Sequence, residues 1–319
     1  MHAITEDKLR SLRIFNLDSD SLRVSVLPEV GAKMLTFFDK ETTRNLLWQN
    51  PRVRPQRFPV DANFDNYWCG GWDDAFPTAD PCDYGGESFP NLGELRSLEW
   101  NVDAAESNEN SAQLTLSVFA PISPVRATKT ITLTENTLST RFQLQSLGPL
   151  PVDFLWGTHP AFNVGAGTRF RIPARTGIVS LASDRSLGTP GEEYPWPMLN
   201  GLDMSRAQGV EAGVFCGHYA TDLEDGWFAV EDNTQGVVFQ FPVEQCPHLW
   251  LWLVYGGWRG YHHAIIEPWT SYPVNLAAAA KQGRNRRLAP GGTFDVTVQC
   301  TTYRGAAKFE EALQRLHAS

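Results

Sequence analysis

Thr128–Leu144 reads TKTITLTENTLSTRFQL. In the first half Ile131 and Leu133 alternate with threonines, and from Leu138 to Leu144 the alternation resumes with Phe142 and Leu144. A period of two marks a half-buried strand, because successive side chains of a strand point to opposite faces. Glu135 and Asn136 form the polar break between the two runs, so the stretch predicts a β-hairpin within an antiparallel sheet.

The same pattern extends in both directions. Upstream, Leu114, Leu116 and Val118 alternate with polar residues, as do Leu22, Val24 and Val26 with Arg23 and Ser25. Downstream, short apolar runs predict strands at 152–156, 170–172, 227–230, 237–241, 249–254, 264–266 and 294–300. Only the tail AAKFEEALQRLH has helical spacing, with Phe309, Ala312, Leu313 and Leu316 on one side, and it is expected to lie against the outside of the sheets. Helices do not alternate with strands, which argues against a doubly wound sheet or a barrel of eight βα units. Asp103–Ser111, DAAESNENS, is too short for a linker and is read as a hairpin tip. The expected architecture is all-β, a large antiparallel β-sandwich with a short C-terminal helix, formed as a single domain over residues 1–319.

Composition narrows the class of function. The chain has 319 residues and a formal net charge of −9, which argues against a nucleic-acid partner. No apolar segment follows MHAITEDKLR, and no apolar run reaches the length of a membrane span, so a cytoplasmic protein without membrane contact is expected. Cys69, Cys82, Cys216, Cys246 and Cys300 are scattered without a CxxC pair and are read as reduced thiols. His262 and His263 are adjacent and face opposite sides of a strand, while Cys246 and His248 lack partners at metal-site spacing. Neither a metal nor another cofactor is expected. GAGTR at Gly165 lacks the ending of a phosphate-binding loop, and no G-x-S-x-G occurs.

Two stretches concentrate chemistry. Pro247–Leu276 reads PHLWLWLVYGGWRGYHHAIIEPWTSYPVNL and places Glu267 at a strand end, followed by Pro268, Trp269, Tyr272 and Pro273. Phe154–Asn163, FLWGTHPAFN, places His159 after an apolar strand and before Pro160, which disfavours a helical backbone at the histidine. A histidine and a carboxylate are the minimum pair for removing one proton from a substrate and returning another. Between Asp61 and Trp100 glycine, proline and aspartate are dense among many aromatic rings, as in ordered loops that close over something. There Trp72 precedes Asp73 and Asp74, which suit sugar hydroxyls equally as well as an acidic turn in water. Arg52, Arg54 and Arg259 suit an anionic group on a substrate, or a solvent-facing loop.

GTHPAFN, IIEPWTSYP, LAPGG at Leu288–Gly292, GGWDDAFPT and NLGELRSLEW together resemble the aldose 1-epimerase (galactose mutarotase-like) family, in order from about Leu22 to Cys300. The resemblance implies a large β-sandwich that binds a free sugar and needs no metal. It also implies catalytic roles for His159, in the W-G-x-H-P-x-F type segment, and Glu267, in the E-P-x-T-x-x-P type segment. The carboxylate would take the proton of the anomeric hydroxyl while an imidazolium protonates the ring oxygen; the sugar opens, rotates about C1–C2 and recloses. The expected substrate-binding set is Trp72, Asp73, Asp74, Asn91, Glu94, Arg96, Arg259 and Trp269, acting on a small sugar or sugar derivative in a monomer or homodimer. One position departs from the family pattern. Leu92 stands where many members carry a histidine before G-E-L, so Asn91, Arg96 or a neighbouring loop supplies that hydrogen bond, or the substrate differs. Two further readings are a sugar-binding or regulatory protein without turnover, and a glycosidase or lyase in which Asp74 or Glu94 pairs with Glu267.

Overall fold

A computed structural model describes residues 1–232, 235–305 and 308–311. The chain divides into two compact units: Met1–Pro160 with Trp269–Thr297, and Ala161–Pro268 with Val298–Ser319. Strands dominate both, and they pair antiparallel.

In the first unit one sheet runs in the order Ala3–Leu9, Leu12–Asp18, Leu22–Leu27, Lys33–Asp39, Trp72–Ala75 and Gly157–Phe162, the last as far as Pro160. A second sheet orders Thr137–Ser146, Val125–Thr134, Ala112–Phe119 and Asn101–Ser107. The predicted hairpin is its centre, with Thr134 paired to Thr137 around Glu135 and Asn136 and the register unbroken to Val125 and Ser146. Ala127, Ile131 and Leu133 are buried on one face of the hairpin strand, as alternation requires. Lys129 lies on that same face, is itself buried, and donates to the Asp74 carboxylate of the first sheet at 2.6 Å. Ser19 Oγ donates to the carbonyl of Glu135 at 2.5 Å, a second tie between the two sheets.

Asp103–Ser111 differs from its reading as a hairpin tip. Asn101–Ser107 is a strand that pairs with Ala112–Phe119, and the turn is confined to the residues after it. The strand lies at the end of its sheet, where acidic residues face water and oppose pairing with another edge.

The second unit repeats the plan. Glu193–Pro195, Ala174–Ala182, Val214–Leu223, His248–Tyr255 and His262–Trp269, the last as far as Pro268, follow one another in one sheet; Arg169–Arg171, Trp227–Glu231, Gln235–Gln240 and Thr293–Arg304, the last from Val298, do so in another. Residues 308–311 are helical, and Phe309 packs on Tyr303 with ring centroids 4.8 Å apart beneath the Arg171 guanidinium. The tail helix thus begins against a sheet as expected; Ala312, Leu313 and Leu316 lie outside the described residues. Among the described residues no helix is long and apolar enough to cross a membrane.

Candidate functional site

Trp72–Ala75 lies in the region read as ordered loops, yet it is a fully buried strand inside the sheet. Its neighbours fix the orientation of each side chain. On one side Met34 pairs with Trp72, which sets Lys33 across from Asp73. On the other, His159 pairs with Asp73, Thr158 with Asp74 and Pro160 with Trp72. Alternation therefore sends Asp73 and His159 to one face and Asp74 to the other, toward Lys129. The two aspartates are held by two different lysines, because Lys33 Nζ donates to Asp73 Oδ2 and also to the Gly70 carbonyl at 3.0 Å.

Aromatic rings enclose His159. Phe64, in the short helix Phe64–Tyr67, meets the imidazole edge-on at 6.3 Å, and Trp68 does so at 5.8 Å. The Arg96 guanidinium lies 4.8 Å from the Phe64 ring centre and 5.1 Å from that of Phe58. Its Nε donates to the Asn91 carbonyl at 2.5 Å and one terminal nitrogen to the Ala62 carbonyl at 3.2 Å. Nη1 of Arg96 and Oδ1 of Asp73 are buried and make no hydrogen bond among the described residues. Burial lowers the Arg96 pKa to about 10, with Asp73 and Asp65 opposing, so the group stays cationic at neutral pH.

His159 departs from the imidazolium that the sequence suggests. Burial pushes its pKa down to about 4; Asp73 opposes this and Lys33 adds to it, so the imidazole of the free protein is neutral near pH 7. Asp73 cannot restore the charge, since Lys33 already balances it. In the second unit His218, which shares a 3.2 Å hydrogen bond with the Tyr194 hydroxyl, is likewise lowered to about 4 by burial. Both values lie below the ordinary 6.5, so between about pH 6.5 and 4 the unfolded chain takes up protons that the folded chain does not. Stability is expected to fall over that window by about 3 kcal/mol for each histidine. Urea titrations at several pH values check this: His159→Asn and His218→Asn should each flatten the slope, and an unchanged slope in both would refute it.

The other expected residues divide by role. The Trp72 indole donates to the Thr158 hydroxyl, fastening the two strands that carry Asp73 and His159. Glu94 is buried and accepts the backbone N–H groups of Ile122 (2.7 Å) and Ser123 (3.2 Å), so it holds a turn. Asn91 contributes its carbonyl to Arg96. Arg259 is exposed in the second unit, its guanidinium 5.3 Å from the Trp258 ring. Trp269 is buried against Gly157, where an added Cβ would stand 2.3 Å from the indole. Just after it, Thr270 N–H donates to the Trp156 carbonyl, and Thr270 Oγ1 accepts from Trp156 N–H, both at 2.9 Å. Glu267 is fully buried on its strand in the second unit.

Sequence reading missed Lys33, Phe64 and Trp68. Trp68 and Phe64 stood in the aromatic-rich loops, but nothing local tied them to a histidine about ninety residues later. Among the described residues no group of three or more His, Cys, Asp or Glu side chains is placed to hold a metal ion.

No protein-family model matches the chain, and the curated proteins contain no similar sequence. Solved structures do resemble it. A Klebsiella pneumoniae protein provisionally named an aldose 1-epimerase superposes with a TM-score of 0.79 at 16% identity, over 100% of this chain and 88% of that one. A galactose mutarotase-like protein from Clostridium acetobutylicum gives 0.69 at 16% identity, over 95% and 99%. A galactose mutarotase related enzyme from Lactobacillus acidophilus gives 0.64 at 16% identity, over 91% and 97%. With the antiparallel sheets described above, these likenesses give the chain the galactose mutarotase-like β-sandwich fold.

Proposed function

We propose that the protein interconverts the anomers of a free aldose or a close derivative at C1, with Glu267 as base and His159 as proton donor. The observation that carries this reading is the enclosure of His159. The His159 imidazole lies among Trp68 and Phe64, beside Asp73, with a donor on Arg96 and an acceptor on Asp73 that are buried and make no hydrogen bond among the described residues. Trp269 and Thr270, two and three residues after Glu267, contact Gly157 and Trp156, two and three residues before His159. Structural relatives named as mutarotase-like lend the same direction. Asp74 and Glu94 are engaged by Lys129 and by backbone amides, which disfavours them as the second carboxylate of a glycosidase.

In this reading Glu267 removes the proton of the anomeric hydroxyl, His159 protonates the ring oxygen, and the C1–O5 bond breaks to leave the open-chain aldehyde. Rotation about C1–C2 and reclosure with reversed roles deliver the other anomer. Because the free imidazole is neutral at pH 7, the proton it gives must be gained on the way to the transition state. The rate constant kcat/KM is then expected to fall about tenfold per pH unit above pH 5. Proton NMR exchange spectroscopy over a panel of aldoses tests the reaction, and a pH series on the best substrate tests the role of the imidazole. Accelerated exchange between anomer signals supports the reading. Sugar binding without acceleration would replace it with a binding protein, and a flat profile would remove the imidazolium step.

A further inference from the structure

In the second unit Val214–Leu223 pairs with His248–Tyr255 so that Phe215 lies across from Val254, Gly217 from Trp252 and Tyr219 from Trp250. Alternation places Phe215, Gly217, Tyr219, Trp250 and Trp252 on one face. Tyr255 faces the other way, and its ring meets His262 at 5.9 Å, so His262 shares that opposite face. Five residues on, Glu267 therefore projects from the same face as Trp250 and Trp252. Gly256 N–H donates to the Tyr261 carbonyl at 2.8 Å to close this hairpin, and continuing the antiparallel pairing sets Glu267 across from Trp250.

The rings on this face form a continuous row. Tyr219 and Trp250 lie 6.4 Å apart, Trp250 and Trp252 6.2 Å, and Phe215 and Trp252 5.5 Å. Gly217 makes the row possible: a Cβ there would stand 2.5 Å from Ser180 Oγ, which accepts the Trp250 indole N–H at 3.1 Å. Trp250 and Tyr219 are buried, whereas Phe215 and Trp252, farther along, are only partly buried, with Trp258 meeting the Trp252 ring edge-on at 6.0 Å. A core-filling cluster would bury all four. Here the partly buried rings lead away from the carboxylate.

We propose that Trp252 and Phe215 form a subsite for a second sugar ring, so that the preferred substrate is a reducing disaccharide whose anomeric unit lies at Glu267. Flat C–H faces of a pyranose match exposed aromatic faces, and both surfaces lose water on contact. The proposal rests on the C1 reading for its choice of the reducing end. The row itself stands independently of that reading.

The test compares maltose, cellobiose and lactose with glucose and galactose by NMR anomer exchange, in the wild type and in Trp252→Ala, Phe215→Ala and Trp252→Tyr. At least one disaccharide should exceed its monosaccharide in kcat/KM by about fivefold. Trp252→Ala and Phe215→Ala should erase that ratio, and Trp252→Tyr should keep it, which separates loss of the subsite from loss of the fold. Equal rates for one and two rings, or a preference that survives both alanine variants, would overturn the subsite. If no sugar is accelerated, the C1 reading fails instead. Saturation-transfer NMR with the same disaccharides then decides the subsite: transfer to the second ring that Trp252→Ala abolishes supports it, and no transfer overturns it.

Discussion

Glu267→Gln is expected to lower protein-accelerated anomer exchange by about 10²–10⁴-fold, with His159→Asn causing a loss of the same order. The glutamine keeps the shape of a side chain that is fully buried but removes its basicity. Asparagine keeps a hydrogen-bonding group and removes the proton carrier. Because the two residues act together in one ring-opening step, the double variant should be little worse than either single variant. Exchange is measured at saturating sugar, with the urea midpoint of each variant as a check on folding. Variants that fold and retain more than half of the wild-type rate would remove these two residues from the reaction.

Lys129→Met is expected to destabilise the protein by about 3–5 kcal/mol, because it leaves the Asp74 carboxylate buried without its cation. The ammonium reaches Asp74 Oδ2 at 2.6 Å, and both side chains are almost inaccessible to water. Exposed pairs of the chain, such as Arg175 with Glu224, are screened by water and lack this leverage. Removing the charge at both ends distinguishes the pair from simple packing. Lys129→Met combined with Asp74→Asn should recover much of the loss, since neither charge is then stranded. Urea unfolding of the two single variants and the double variant gives the coupling directly. A single variant within about 1 kcal/mol of wild type would show that the carboxylate finds another partner.

These two predictions also mark where sequence reading succeeded and where it stopped. The Thr128–Leu144 hairpin was legible because strand alternation and a polar break are local. Lys129 was legible in part, since parity places it on the face of Ile131 and Leu133. Its partner was not, because Asp74 is 55 residues earlier in a segment rich in glycine and aspartate. Aspartates disfavour strands unless burial is matched by cations, and Lys33 and Lys129 come from elements remote in the chain. His159 and Glu267 stood out by the prolines that follow them; the expected strand ends were wrong, since Pro160 and Pro268 lie inside the strands Gly157–Phe162 and His262–Trp269. The charge of His159 did not, since it depends on how completely distant rings exclude water.

Arg96 shows the same limit from another side. Its neighbourhood reads as ordered loops rich in aromatic rings, but which rings meet the guanidinium is not local: it lies buried against Phe58 and Phe64 of an earlier segment. Burial of a long cationic side chain against aromatic faces is decided by tertiary contacts that no local period reports.

Leu92 occupies the left-handed region at φ +57°, next to Gly93 at φ +70°, and its N–H donates to the Ala79 carbonyl at 2.6 Å. Leucine gains nothing from that backbone, which histidine and asparagine adopt more readily. The turn is instead imposed by Gly93, where any side chain would collide with the Phe76 carbonyl. Position 92 is therefore a socket whose form is independent of its occupant. A lineage could exchange the residue there by a single codon change without rebuilding the loop.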